Sequence, residues 1–172
     1  MSTHDLIELF HHRWAAPALA LLAERGGARF VELQRRLGVG RESLGRALDA
    51  LIESDLARPN AGYGHPLRPE YVLTPKGKRV ARIAAGVIEV SDPDTLLRKW
   101  SVPVLAELGE ERRFTDLRSA LGGITPRALA LALQDLEAAG YVDREVRDTR
   151  PPSTIYRPTA RGRRVQRVVL EA

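Results

Sequence analysis

Apolar residues early in the chain recur at helical spacing, between short turns that contain glycine. In RFVELQRRL (29–37) a Phe and two Leu stand at i, i+3 and i+7, and in RESLGRALDALIESD (41–55) leucines follow one another by four and then three positions. Both spacings place the apolar side chains on one face of a helix. The intervening GVG (38–40) is typical of a turn. The pattern therefore predicts two consecutive helices, each with one buried stripe.

The flanking segments predict a helix on each side and a hairpin. PALALLAERG (17–26) has the composition of a short apolar helix that ends at its glycine. LARP (56–59) begins a strand, and EYVLT (70–74) returns with strand alternation across a loop rich in glycine and proline. A Thr-Pro pair then starts PKGKRVARIAAGVIEV (75–90), with the Thr as N-cap and the Pro in the first turn of a further helix.

The same order of elements occurs again about 85 residues later. Thr125-Pro126 has the form of another helix start, and Asp92-Pro93 is expected to start a helix that leads into Trp100. A repeat of this length indicates two copies of one module, here called copy one (residues 1–90) and copy two (91–172). Copy one also begins with THDLIELFHHRW (3–14), which predicts an amphipathic helix. The matching pairs are Trp14 with Trp100, Pro17 with Pro103, Arg29 with Arg113, Phe30 with Phe114, Leu33 with Leu117, Leu44 with Leu129, Leu48 with Leu133, Tyr71 with Tyr156, Thr74 with Thr159 and Gly77 with Gly162.

Helix, helix, turn, helix, hairpin and helix is the layout of a winged helix-turn-helix. We therefore predict a mainly α fold with small β-hairpin wings (α+β), built from tandem winged helix-turn-helix repeats that form a pseudo-dimer. The first and last helices of each copy are expected to pack across the approximate two-fold axis. In the N-terminal helix, Leu6, Leu9 and Phe10 are expected to be buried.

Charge and cysteine content narrow the function classes. The 172 residues carry a formal net charge of +5, spread over both halves, which favours a polyanionic partner. The chain has no cysteine, which excludes disulfides, thiolate metal sites and a cysteine nucleophile. No apolar run reaches transmembrane length and no signal peptide opens the sequence, so the protein is expected in the cytoplasm.

The residues of copy two carry a family resemblance. WSVPVLAEL (100–108), RFTDLRSALGGITPRALALALQDLEAAGYVDREVRDTR (113–150) and PPSTIYRPTARGRRV (151–165) follow one another. This run resembles the HxlR family of bacterial winged-helix transcription regulators, whose members look like W-x-x-x-I-L, R-F-x-E-L-x-x-x-L-x-G-I-S-x-R-x-L and P-P-x-V-x-Y-x-L-T-x-x-G. The first copy follows the pattern from Trp14 to Val80 with more departures. Since such proteins have one module per chain and work as homodimers, this chain looks like a fused dimer.

The resemblance implies a DNA-binding transcriptional regulator, and we expect a repressor whose single chain binds a two-half-site operator on double-stranded DNA. The helix after the turn is expected to read base edges in the major groove, and the wings and the start of the preceding helix to contact the backbone. The candidate base contacts are Arg41, Ser43, Arg46, Thr125, Arg127 and Gln134. The candidate backbone contacts are Arg29, Arg113, His65, Arg68, Arg147 and Arg150, together with Arg58.

Copy one is expected to carry more of the base readout, since Arg41, Ser43 and Arg46 offer several donors from one helix. In copy two, Ala130, Leu131 and Ala132 stand where polar residues are usual in the family. That apolar stretch supports the alternative of a ligand- or protein-binding winged-helix module with reduced or lost DNA readout.

A small apolar effector would bind at the seam between the copies, against Trp14, Trp100 or Leu131. No enzyme is expected, because the sequence has no nucleophile elbow and no phosphate-cradling loop. His4 and His11 share a helix face but lack a third ligand, so neither a metal nor another cofactor is expected. Whether the chain forms a further homodimer stays open.

Overall fold

The protein is described by a computed structural model that covers residues 2–60, 70–90, 93–148, 150 and 152–170. Each copy contributes helices and one small sheet. Copy one contains α1 (Thr3–His11), α2 (Ala15–Arg25), β1 (Ala28–Arg29), α3 (Phe30–Leu37), α4 (Arg41–Glu53), β2 (Ala57–Asn60), β3 (Glu70–Leu73) and α5 (Pro75–Glu89). Copy two contains α6 (Pro93–Leu96), α7 (Ser101–Leu108), β4 (Arg112–Arg113), α8 (Phe114–Ala120), α9 (Pro126–Ala138), β5 (Val142–Arg147), β6 (Ser153–Pro158) and α10 (Ala160–Leu170).

The predicted order of elements is confirmed in both copies, with additions and one correction. The N-terminal helix forms as predicted and buries Leu6, Leu9 and Phe10, with Ser2 and Asp5 exchanging hydrogen bonds as a capping box. The segment after residue 92 does not run on as a helix into Trp100. Its helix, α6, ends at Leu96, and turns follow before α7. The hairpin tip of copy one, residues 61–69, lies outside the described residues.

Each wing is a three-stranded antiparallel sheet rather than a bare hairpin. The strand order is β1-β3-β2 in copy one and β4-β6-β5 in copy two. The added strands, β1 and β4, hold two residues each and were not predicted, because two residues show no alternation. They pair Arg29 with Glu70 and Arg113 with Ile155. The start of the second helix is thereby fixed against the wing.

The return from the wing to the last helix is built the same way in both copies. Thr74 caps α5 by accepting a hydrogen bond from the Gly77 amide at 2.9 Å, and Thr159 accepts one from the Gly162 amide at 3.1 Å. Each glycine lies against backbone of the strand entry. A Cβ on Gly77 would stand 1.8 Å from the Leu56 carbonyl oxygen, and one on Gly162 would stand 2.2 Å from that of Tyr141. Only glycine allows this approach.

The two copies share one hydrophobic core, which runs from Leu6 to Val169. Across the boundary, α5 packs against α10 and α1 packs against α7. Gly86 of α5 lies so close to α10 that a Cβ there would meet a methyl group of Val168 at 2.6 Å. In copy two the buried Gln166 amide donates hydrogen bonds to the carbonyls of Leu105 and Gly109, at 2.8 and 3.0 Å, which ties α10 to α7. In the described residues, no helix has both the length and the apolar character needed to cross a bilayer.

Candidate nucleic-acid interface

The outward face of α4 is polar and partly self-neutralised. Glu42 and Arg46, one helical turn apart, form an ion pair of 2.7 Å, with 83 and 57 % of their side-chain surfaces exposed. The guanidinium of Arg41 lies 5.6 Å from the centre of the Phe30 ring, which holds it at the junction with α3. Ser43 is half-buried. Arg46 must therefore exchange Glu42 for a base if it is to read DNA.

The outward face of α9 has a different chemistry. Arg127 and Gln134 are exposed, and the Leu131 side chain stands in solvent at 50 % exposure. Thr125 caps the helix, and its hydroxyl oxygen accepts from the Ala128 amide at 3.2 Å. Ala132 is a correction to the predicted apolar face, because it is 8 % exposed and belongs to the core. Of the predicted apolar stretch, Ala130 and Leu131 are thus the exposed residues.

The two helices have the same length of thirteen residues, so their outward positions correspond one to one at an offset of 85. At each aligned outward position the residue type differs. The pairs are Arg41 with Pro126, Glu42 with Arg127, Ser43 with Ala128, Gly45 with Ala130, Arg46 with Leu131 and Asp49 with Gln134. The glutamate that holds Arg46 in copy one is thus an arginine in copy two, and no ion pair within the described residues engages Arg127.

A groove of about 360 Å³ opens beside the start of α8 in copy two. Arg113 and Arg150 lie on it with the hydroxyls of Thr115, Ser153 and Thr154. Guanidinium and hydroxyl donors around an open groove are the groups that contact phosphate in protein–DNA complexes. The remaining lining residues are Phe114 and Pro152.

The aligned surface of copy one is less suited to an anion. Arg29 lies 3.9 Å from the Glu70 carboxylate. Val31 occupies the position of Thr115 and is 73 % exposed. The wing candidates His65 and Arg68 fall in the segment that the structure does not describe, whereas Arg58 is exposed on β2.

Arg147, a predicted wing contact, is held in an ion-pair cluster on the second wing. Its guanidinium donates to Glu111 at 3.1 and 3.4 Å and to Glu145 at 3.3 Å. Arg157 pairs with the same two carboxylates at 2.8 and 2.7 Å. Hydrogen bonds donated by Arg157 and Arg147 lower the pKa of Glu111 below its usual value, and the hydrogen bonds that Arg147 donates to Glu111 and Glu145 raise the pKa of Arg147. At neutral pH the four charges compensate one another, so Arg147 is less available to phosphate than Arg150.

The predicted effector residues lie apart from the described pockets. Trp14 and Trp100 are half-buried at the N-caps of α2 and α7. Each is covered by a cation, with Arg13 at 5.9 Å from one ring and Lys99 at 5.0 Å from the other. Neither tryptophan nor Leu131 lines any of four cavities formed by described residues.

Sequence reasoning missed the carboxylates that restrain these arginines. The i, i+4 spacing of Glu42 and Arg46 is a local signal for the ion pair that forms. Glu111 stands 36 residues before Arg147, so no local spacing announces that pair. The expectation that copy one carries more of the base readout stays a prediction, although the pairing of Arg46 argues for a share in copy two.

Comparison with known proteins agrees with this geometry. The family model described as HxlR-like helix-turn-helix matches residues 9–92 and again residues 95–172. The chain belongs to the HxlR-like helix-turn-helix family. The two matched segments lie one after the other, so the repeat detected in the sequence is a repeat of this family's domain.

Curated relatives of this HxlR-like protein are named as helix-turn-helix transcriptional regulators rather than enzymes. One from Synechocystis is 42 % identical over 78 residues, which is 45 % of this chain and 58 % of the relative. YtfH of Escherichia coli is 38 % identical over 72 residues, 41 % of this chain and 57 % of the relative. The chain thus spans a little over half the length of the curated relatives it matches. A putative MarR-family regulator from Porphyromonas gingivalis has a TM-score of 0.44 at 23 % identity, over 45 % of this chain and 78 % of that one, which is too low to bear on the fold.

Proposed function

We propose that the chain is a DNA-binding transcriptional repressor that acts in the cytoplasm as a single-chain pseudo-dimer. Residues 1–90 and 91–172 each form one winged helix-turn-helix module, and α4 and α9 enter successive major grooves about 34 Å apart. The observation that carries the proposal is the exposure of two equivalent helices, each behind a turn and beside a wing, in a chain of the HxlR-like family.

The proposal assigns different work to helices and wings. Arg41, Ser43 and Arg46 on α4, and Thr125, Arg127 and Gln134 on α9, contact bases. Backbone contacts come from the starts of α3 and α8 and from the wings, through Arg29, Arg113, Arg150, His65 and Arg68. Arg147 joins them only when it leaves Glu111. Each neutralised phosphate contributes about −0.9 to the slope of log affinity against log salt, so steep salt dependence is expected.

A mobility-shift titration tests the proposal. The chain is titrated against the duplex upstream of its own gene and against a scrambled duplex of equal length and composition, at two salt concentrations. Preference for the upstream duplex with a steep salt slope supports the proposal, and equal binding to both at moderate salt contradicts it. Repression is separated from activation by a promoter reporter with and without the protein, where lower output with the protein is expected.

Two variants sort base from backbone contacts. Arg46→Ala is expected to bring the affinities for specific and scrambled duplexes together. Arg150→Ala is expected to lower both affinities alike and to flatten the salt slope by about one. Equal loss of both affinities in Arg46→Ala would contradict its assignment to bases.

The alternative of a ligand- or protein-binding module depends on the exposed methyl groups of α9. Leu131 lines none of the described cavities and faces solvent on an open helix face. Such a surface suits a groove of DNA better than a small ligand, and we therefore leave an effector out of the proposal.

A further inference from the structure

We infer that the chain recognises a non-palindromic operator and binds it in one orientation. The inference rests on the proposed function and deepens it. A homodimer presents the same recognition helix twice and so selects two equal half-sites. Here the two recognition helices belong to one chain, have equal length, and carry different residues at each aligned outward position.

The half-site of copy one is defined by the Glu42–Arg46 pair. A carboxylate accepts from the amino group of cytosine, and a guanidinium donates to O6 and N7 of guanine. The two side chains, one helical turn apart, pair with each other at 2.7 Å in the free chain, and on DNA they separate to contact neighbouring bases. Arg41, held over the Phe30 ring, adds a donor at the helix start. These groups select a half-site rich in G·C pairs.

The half-site of copy two is defined by Arg127, Leu131 and Gln134. Arg127 has no carboxylate one turn away, because Leu131 stands at that position. Leu131, at 50 % exposure, and Ala130 present methyl groups, which contact the C5-methyl of thymine. Gln134 matches adenine through two hydrogen bonds. This surface selects a guanine followed by A·T pairs.

The two sets are not interchangeable. In the reversed orientation Leu131 would meet the guanine chosen by Arg46, and Glu42 would meet the guanine chosen by Arg127. A misplaced base contact costs about 5- to 150-fold in affinity. Two such contacts in each half-site are enough to fix one orientation on the operator.

The two copies also differ in the groups that they offer to the DNA backbone. Copy two has the groove lined by Arg113, Arg150 and three hydroxyls, whereas Arg29 of copy one lies beside Glu70 and Val31 replaces the hydroxyl of Thr115. Copy two is therefore the firmer anchor, and the half-site of copy one is the more easily displaced.

The experiment starts with selection of bound duplexes from a random library by the full chain. We expect a consensus with two unlike halves, A under copy one and B under copy two. Three duplexes are then made with the selected spacing, A–B, A–A and B–B, the two halves inverted as a two-fold axis requires. The wild-type chain is expected to bind A–B at least about tenfold more tightly than either palindrome.

Two matched exchange variants assign each half. Arg127→Glu with Leu131→Arg and Gln134→Asp gives α9 the residues of α4 at three of the six aligned outward positions, and it is expected to prefer A–A. Glu42→Arg with Arg46→Leu and Asp49→Gln does the reverse, and it is expected to prefer B–B. All six positions are exposed, so folding is expected to survive and is checked by circular dichroism and melting.

The outcomes separate the inference from the function beneath it. A palindromic consensus overturns the inference and leaves the proposed function standing. So do exchange variants whose preference stays with A–B. A consensus with information in one half only overturns the second half-site and the base contacts proposed for the other recognition helix. Selection that enriches no sequence over the starting library overturns the proposed function itself.

Discussion

The two copies agree where the chain is buried and differ where it is exposed. At the junction after each wing, Thr74 with Gly77 and Thr159 with Gly162 form the same cap, and each glycine lies against the carbonyl of the residue just before β2 or β5. On the recognition helices the buried leucines match, whereas the outward residues differ at each aligned position. The shared pattern therefore specifies the architecture, and the specificity for a binding partner must come from the residues that are not shared.

The largest expected effect is on stability, and it tests the junction between wing and helix that the two copies share. Gly77→Ala places a methyl group 1.8 Å from the Leu56 carbonyl oxygen, and Gly162→Ala places one 2.2 Å from that of Tyr141. Since both contacts are with backbone, we expect each substitution to lower the free energy of unfolding by about 3 kcal/mol, measured by urea denaturation.

Gly45→Ala is the matched control, because this helical position has open space around a new Cβ. It is expected to stabilise the chain by about 0.5–1 kcal/mol. If the Gly77→Ala and Gly45→Ala variants had equal free energies of unfolding, the close contact between Gly77 and the Leu56 carbonyl would be contradicted.

The next effect sharpens the contrast between the backbone contacts. Arg113→Ala is expected to weaken binding to all duplexes by about tenfold and to reduce the salt slope by about 0.9, since it removes a cation that lies on an open groove. Arg29→Ala is expected to do less, because Arg29 is already opposed by Glu70. Titration of both variants over a range of salt makes the comparison, and a larger loss for Arg29→Ala would reverse the roles of the two copies.

A smaller effect concerns backbone strain that, among the described residues, is found in copy one. Asp55 has φ of +56°, in the left-handed region, and its counterpart Gly140 has φ of +72°. Asp55→Gly is expected to stabilise the chain by about 1 kcal/mol, a rise of roughly 2–4 °C in melting temperature. Gly140→Asp is expected to lower the melting temperature by a similar amount. If the melting temperature fell in both variants, the left-handed backbone at Asp55 would not be the source of strain.

The smallest effect concerns the ion-pair cluster of copy two, which has no counterpart in the part of copy one that the structure describes. Glu111→Gln is expected to release Arg147 and Arg157 for phosphate, raising affinity for any duplex a few-fold and steepening the salt slope by about one. Glu110→Gln is the matched control, because it makes the same change of charge at the adjacent, exposed glutamate. If both variants gained affinity equally, net charge rather than released arginines would be the cause.

The pH dependence of this cluster has a defined sign. Because the pKa of Glu111 is lowered in the folded chain, its contribution is present above the unfolded value of about 4.5 and is lost as the pH falls through the folded value. The cluster is thus intact at neutral pH.

The sequence predicted the helices and hairpins because periodicity and caps report on burial and local hydrogen bonds. It could not predict the two-residue strands or the end of α6 at Leu96, since neither leaves a periodic signal. Ala132 was assigned to the outward face from the family pattern. Its position three residues after the buried Leu129 indicates the buried face instead. Among the site residues, exposure of Arg46, Arg127 and Leu131 followed from helix geometry, whereas the partner of Arg147 lies far away in the chain.

The packing of α5 against α10, with Gly86 against Val168, joins two family domains within a single polypeptide. Their association is intramolecular, so dilution does not separate them. A homodimeric regulator loses its second DNA-binding helix when its concentration falls below the dimer dissociation constant, and occupancy of its site then follows the square of concentration. In the proposed function one chain supplies both DNA-binding helices, so occupancy is expected to follow the first power of its concentration. A low copy number would then occupy a promoter to the extent that the affinity for DNA allows, because no minimum concentration is needed for dimerisation.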